Sequence, residues 1–154
     1  MKIAVLLLLT GLGLGGCQKF EVGPDLPPAD IAAAFDSEFT LYYQQQAYLP
    51  APAQPELAVR VEEVAYTYCP PGVMCFVGTA AWPTLRITDA QGQIQLLPEA
   101  PRKVLIQGDT LSVRANGRRY LLQYVQWELD EKLKSDEYPT KQQFALKFRL
   151  TKPN

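Results

Sequence analysis

The sequence predicts an all-β domain, an antiparallel β-sandwich of seven to eight strands, with a small β-barrel as the alternative arrangement. Three observations carry that expectation. Apolar residues recur with a period of two in several stretches from Glu38 onward, turn-forming pairs separate those stretches at short intervals, and no amphipathic helical pattern of any length occurs.

The chain ahead of the first strand has a different character. One cation, Lys2, precedes an apolar run from Ile3 to Leu14 broken only by Thr10, Gly11 and Gly13, and Gly15-Gly16-Cys17 follows. This is the layout of a secretion signal. The apolar run is shorter than the roughly 20 residues that a membrane-spanning helix needs, and small residues stand where a peptidase must fit the backbone. Leu14-Gly15-Gly16-Cys17 resembles the bacterial lipobox, which implies a signal peptide over 1–16 and an acylated, palmitate-bearing Cys17 as the mature N-terminus. An ordinary secretory signal or a short buried helix is the alternative. Cysteine arithmetic favours acylation, because it leaves an even pair, Cys69 and Cys75, for an oxidising compartment. Acyl chains worth about 0.8 kcal/mol per buried CH₂ would then hold the domain on a membrane.

Residues 17–35 are rich in proline and alanine and read as a tether reaching up to roughly 50 Å; alternatively, Asp30 caps a short helix from Ile31 to Phe35. The folded domain is expected over 36–154. Its first strand places Phe39, Leu41 and Tyr43 on one face. In the second, Leu57, Val59 and Val61 alternate until the phase slips at Glu62-Glu63, the mark of a β-bulge. Trp82 to Thr88 turns at Gln91-Gly92 into Ile94 to Leu97, and Val104 to Gln107 is expected to turn at Gly108-Asp109 into Leu111 to Ala115 as a second hairpin. Asn116-Gly117 then leads into Arg118 to Leu129. Asp130 to Gln143 reads as an exposed, charged loop with at most one helical turn. The last strand alternates Phe144, Leu146, Phe148 and Leu150 with Ala145, Lys147 and Arg149.

Composition narrows the function. Removing residues 1–16 leaves 138, one domain's worth, and losing Lys2 leaves 14 basic against 16 acidic side chains, a formal charge of −2 without any basic stripe. Nucleic acid is not an expected partner. The chain has no histidine, which removes the commonest general base and the commonest metal ligand. No catalysis, cofactor or metal is expected. Gln18, rather than an aspartate, follows the anchor and favours the outer membrane, at its periplasmic face or the cell surface.

The distinctive segment is Thr67 to Gly78. Pro70 and Pro71 fix φ near −65° and Gly72 supplies a positive φ, so the chain can turn back and bring Cys69 to Cys75 as a disulfide. Cys69-Pro70-Pro71-Gly72-Val73-Met74-Cys75 also matches the pattern Cys-Pro-x-Gly-Val-x-Cys, between strands at Leu57–Tyr66 and Ala80–Thr88. In that setting it resembles a group of small, uncharacterised secreted or lipid-anchored bacterial β domains. The group carries arginine where Tyr68 stands, and a longer, tryptophan-containing run in place of Phe76-Val77-Gly78. The similarity runs loosely from Phe39-Thr40-Leu41 to the last strand, including Tyr138 and Pro139, and implies a β fold without implying an activity.

The leading functional expectation is a non-catalytic binding module of the cell envelope, held on a membrane by its lipid and engaging a protein or glycan partner. Its candidate surface is Tyr68, Pro70, Pro71, Val73, Met74 and Phe76, presented on a loop over a β scaffold. A protease-inhibitor-like loop is one version of this reading. Against it stands the possibility that Val73 and Phe76 fold back to cap the sandwich. A glycan-acting enzyme would draw on Glu62, Glu63, Asp130, Glu131, Asp136 and Glu137. Cys69, Cys75 and Met74 form a soft set suited to Cu(I), although they lack redox-motif spacing, and no calcium-loop pattern occurs. Tyr42, Tyr43, Tyr48, Tyr66, Tyr120, Tyr124, Trp82 and Trp127 would make a sugar-stacking platform if several shared one exposed face.

Overall fold

The computed structural model describes residues 27–101, 104–129 and 137–152. The signal, Cys17, most of the tether and Asp130, Glu131 and Asp136 lie outside the described residues. Nine strands occur among those described: β1 (Ile31–Ala32), β2 (Glu38–Leu41), β3 (Gln46–Leu49), β4 (Leu57–Thr67), β5 (Ala80–Asp89), β6 (Ile94–Leu97), β7 (Thr110–Ala115), β8 (Arg118–Leu129) and β9 (Phe144–Thr151). They form two sheets, ordered β1-β3-β4-β5-β6 and β2-β9-β8-β7, and every pairing is antiparallel except β1 with β3. The sandwich, rather than the barrel, is the arrangement adopted.

The alternation read from the sequence is the burial pattern. On β9, Phe144, Leu146, Phe148 and Leu150 are fully buried, and on β4 so are Leu57, Val59 and Val61. A bulge between Val61 and Glu63 adds one residue to β4, so the core phase resumes at Val64, as the slip in the sequence implies. Each such Leu, Val or Phe contributes about 1.5–3 kcal/mol on leaving water. Between the sheets, Tyr124 stacks on Phe148 at 5.3 Å, and its hydroxyl donates to the Ala81 carbonyl at 3.1 Å. Burial pushes that hydroxyl's pKa up, so it stays a donor.

Three expectations need correction, and two features, β3 and a second bulge, were not expected. The tether does not extend to residue 35 and Asp30 caps no helix. Ile31 and Ala32 pair with Ala47 and Tyr48, and Gln45, buried, donates through Nε2 to the Ala29 carbonyl at 2.7 Å, so the chain joins the sheet by Ala29. Strand β3 was not expected from the sequence; its two inward residues, Ala47 and Leu49, are too short a run to stand out. Val104 to Gln107 forms no hairpin with β7. Instead Leu105 plugs the core, while Gly108 and Asp109 pair with the backbone of Tyr124 on β8. A second bulge, between Tyr124 and Gln126, shifts β8 so that its inward residues change from Tyr120, Leu122 and Tyr124 to Trp127 and Leu129.

One end of the sandwich is polar and cross-braced. At the Asn116-Gly117 turn both residues have positive φ, 52° and 70°, which asparagine and glycine tolerate. Asp89 receives the N–H groups of Gln91, Gln93 and Asn116, while Asn116 receives that of Ala90, tying the two hairpin turns together. Burial would raise the Asp89 pKa, but these N–H groups outweigh it and hold the carboxyl below its usual value. Beside them, Glu56 accepts Lys152 Nζ at 2.7 Å and the hydroxyl of fully buried Tyr120. Lys152 foremost, then Tyr120, hold the Glu56 carboxyl below its ordinary pKa.

A carboxyl whose folded pKa lies below its unfolded one stabilises the fold above the unfolded value, and that stabilisation is lost as pH falls through the folded value. In urea titrations of wild type and Glu56→Gln, wild-type stability should therefore fall the more steeply below pH 4.5, the reference value for this group. Parallel pH profiles would show that the ion pair contributes nothing. Phe148→Ala should cost about 3–5 kcal/mol in the same assay.

Candidate binding loop

Beyond the Thr67–Ala80 pair, β4 and β5 separate. Their mouth is held by Thr67 Oγ1 donating to the Gly78 carbonyl at 2.7 Å and by the Cys69 N–H donating to Thr79 Oγ1 at 3.0 Å. Past it, Pro70, Pro71 and Gly72, with φ of +78°, reverse the chain, and the Val73 N–H closes the turn on the Pro70 carbonyl at 3.2 Å. Cys69 and Cys75, with Cα atoms 5.9 Å apart, are joined by a disulfide. The bridge uses both sulfurs, so the soft Cu(I) set does not exist in this state.

Of the candidate loop residues, Val73, Met74 and Phe76 are exposed, together with Val77; Met74 is 99% exposed and Phe76 106%. Pro71 is exposed, whereas Tyr68 and Pro70 are half-buried at the base. The loop is therefore no cap. The core closes without it, because Tyr66 packs on Phe144 at 4.8 Å and Trp127 on Phe144 at 6.0 Å, sealing this end with three rings. Nothing inside is left for Val73 or Phe76 to cover.

The segment before β9 braces the loop from the other sheet. Tyr68 meets Tyr138 edge-on at 5.7 Å, and the Tyr66 hydroxyl donates to the Pro139 carbonyl at 2.7 Å. Tyr138 is itself exposed and adds a ring at the base of the loop. Reading residues one by one did not single it out; its only signal was the Tyr138-Pro139 pair within an otherwise charged loop. Lys141, in a 3-10 turn over Lys141–Gln143, pairs with Glu63 and lies over the Tyr43 ring at 5.4 Å. Burial would raise the Glu63 pKa, but Lys141 and the Val64 N–H hold it below its usual value.

The other candidate groups among the described residues are not brought together. Glu62 pairs with Arg86 at 2.5 Å and with Arg60 at 3.9 Å, while Glu63 is held by Lys141, so the two carboxylates sit in separate ion pairs. Glu137 is exposed next to Tyr138. Of the eight aromatic residues considered for sugar stacking, Tyr120 and Tyr124 are fully buried. Tyr43, Tyr66 and Trp127 pack against the core, and Tyr48 donates its hydroxyl to Asp30. Tyr42 and Trp82 are half-buried. No exposed platform results from these eight. A cleft at the polar end is lined by Asp89, Gln93, Arg114, Asn116, Arg118 and Arg119, and its carboxylate is committed to turn N–H groups.

Comparison of the chain with models of protein families, with curated proteins and with solved structures finds no match.

Two measurements check this description. Replacing Cys69 and Cys75 with serine should cost about 2.4 kcal/mol in urea unfolding, the loop-closure value for a ring of about seven residues. Met74→Ser with Phe76→Ser should change stability by less than about 0.5 kcal/mol, since neither side chain is packed; a larger loss would mean that the loop caps the core after all.

Proposed function

We propose that the chain is a cell-envelope lipoprotein, exported by residues 1–16 and anchored through acylated Cys17, whose β-sandwich is a non-catalytic binding module. Its binding surface is the cystine loop, with Val73, Met74 and Phe76 at the tip, Tyr138 beside them, and Tyr68, Pro70 and Pro71 below. The observation that carries the reading is the full exposure of Met74 and Phe76 on a covalently closed loop. Leaving two large apolar side chains in water forgoes about 1.5–3 kcal/mol each, and a rigid loop recovers that on docking without a large ordering cost. The resemblance to lipid-anchored β domains with a Cys-Pro-x-Gly-Val-x-Cys motif supports the envelope location. A protease-inhibitor-like action would use the same loop, but no separate observation favours it.

Met74 is the probe. The chain has two methionines, and the first goes with the signal, so Met74 is the only one in the mature protein. Oxidation by dilute peroxide, read by peptide mass spectrometry, should be fast in the purified full chain and several-fold slower in intact envelopes. Equal rates would overturn the binding role of the loop. Metabolic labelling with a palmitate analogue should mark wild type and not Cys17→Ser; unlabelled wild type would overturn the anchor.

A further inference from the structure

The strands give the cystine loop a fixed relation to the chain's entry point, and from it we propose that the loop's partner is the lipid bilayer holding the chain's own anchor. This rests on the reading of Cys17 as acylated. β4 runs from Leu57 to Thr67 toward the cystine loop, β3 is antiparallel to it, and β1 is parallel to β3. Reading backward from Ala32 to Ala29 therefore moves toward the loop end. The Gln45 side chain on the Ala29 carbonyl, and the Val61 N–H on the Gln45 carbonyl, place Ala29 level with the middle of β4. The chain's entry at Ala29 and the apolar tip thus face the same way.

The lengths agree. From Val61 to Thr67 at about 3.3 Å per residue is about 20 Å, and the loop extends beyond it. From Cys17 to Asp30 the chain reaches at most about 40 Å at 3.1 Å per residue, so an anchored Cys17 and a bilayer-seated tip are compatible.

The loop itself is free of charge. No Asp, Glu, Lys or Arg occurs between Glu63 and Arg86, the stretch that contains the whole loop. The opposite end carries Glu56, Asp89, Arg118 and Lys152. Val73, Met74, Phe76 and Val77 stand exposed on the turn as apolar side chains suited to acyl chains, and Tyr68 and Tyr138 stand at its base where amphipathic rings favour the membrane interface. Glu137 and Lys141 stand near the loop's base, so the contact is confined to the tip. The acyl anchor and a second, weaker apolar attachment would then hold the domain upright on one surface.

The test places a photo-reactive benzophenone side chain at Met74, at Phe76, or at Ile94 as the control, in the full chain in the cells that make it. Ile94 is likewise exposed and apolar, but it pairs with Thr88 toward the polar end. Mass spectrometry then reads the adducts and the N-terminal peptide together. Phospholipid adducts at 74 and 76, none at 94, and an acylated Cys17 are expected. Protein adducts in place of lipid at 74 and 76 would overturn the bilayer contact while leaving a binding loop; no adduct at either position would overturn both. An unmodified Cys17 would overturn the anchor and this proposal with it.

Discussion

Burial of one face of β9 and one face of β4 organises everything else in this domain. Phe144, Leu146, Phe148 and Leu150 oppose Leu57, Val59, Val61 and Val64 across a shared core, and all eight are withdrawn from water. Because strand side chains alternate strictly, a slip of one residue would turn either set outward. The bulge after Val61 is what allows a strand as long as β4 to keep its far half in register with that core. β8 solves the same problem at Tyr124/Gln126, and Trp127 reaches Phe144 only because of that shift.

The two ends of the sandwich are finished differently. At one, Glu56, Asp89, Asn116, Tyr120 and Lys152 satisfy buried or half-buried polar groups and link the sheets. At the other, Tyr66, Trp127 and Phe144 close the core with rings. A loop resting on a closed core has no packing duty above its base, and the residues at the tip of the cystine loop are not packed into the domain. Its base is nonetheless fixed, by the disulfide, by Thr67 and Thr79, and by Tyr138 from the neighbouring sheet. A rigid base beneath an unpacked apolar tip is the physical content of the proposed binding role.

Much of this was legible in the residues. The β class, β5 with β6, β7 with β8, β9, the first bulge and the Cys69–Cys75 bridge all follow from local rules: period-two alternation, a phase slip, an Asn-Gly turn, and two prolines and a glycine between cysteines. The candidate loop was legible as a composition, six residues of apolar or aromatic type. What it does with them was open, since Phe76 covering the core and Phe76 in water have the same sequence. Tyr138 was missed because its partner, Tyr68, lies 70 residues away.

By itself, then, the chain's order of residues determined β2 and β4 to β9, the turns at Gln91-Gly92 and Asn116-Gly117, and which cysteines meet, because those outcomes depend on neighbours within a few positions. Only the tertiary structure decided that Ile31 and Ala32 join the sheet beside β3, that Leu105 fills the core instead of extending a hairpin, and that the loop stands clear of a core already closed by three rings. Each of these is a competition for the same buried space or the same strand edge among segments far apart in sequence, and local pattern carries no record of which competitor wins.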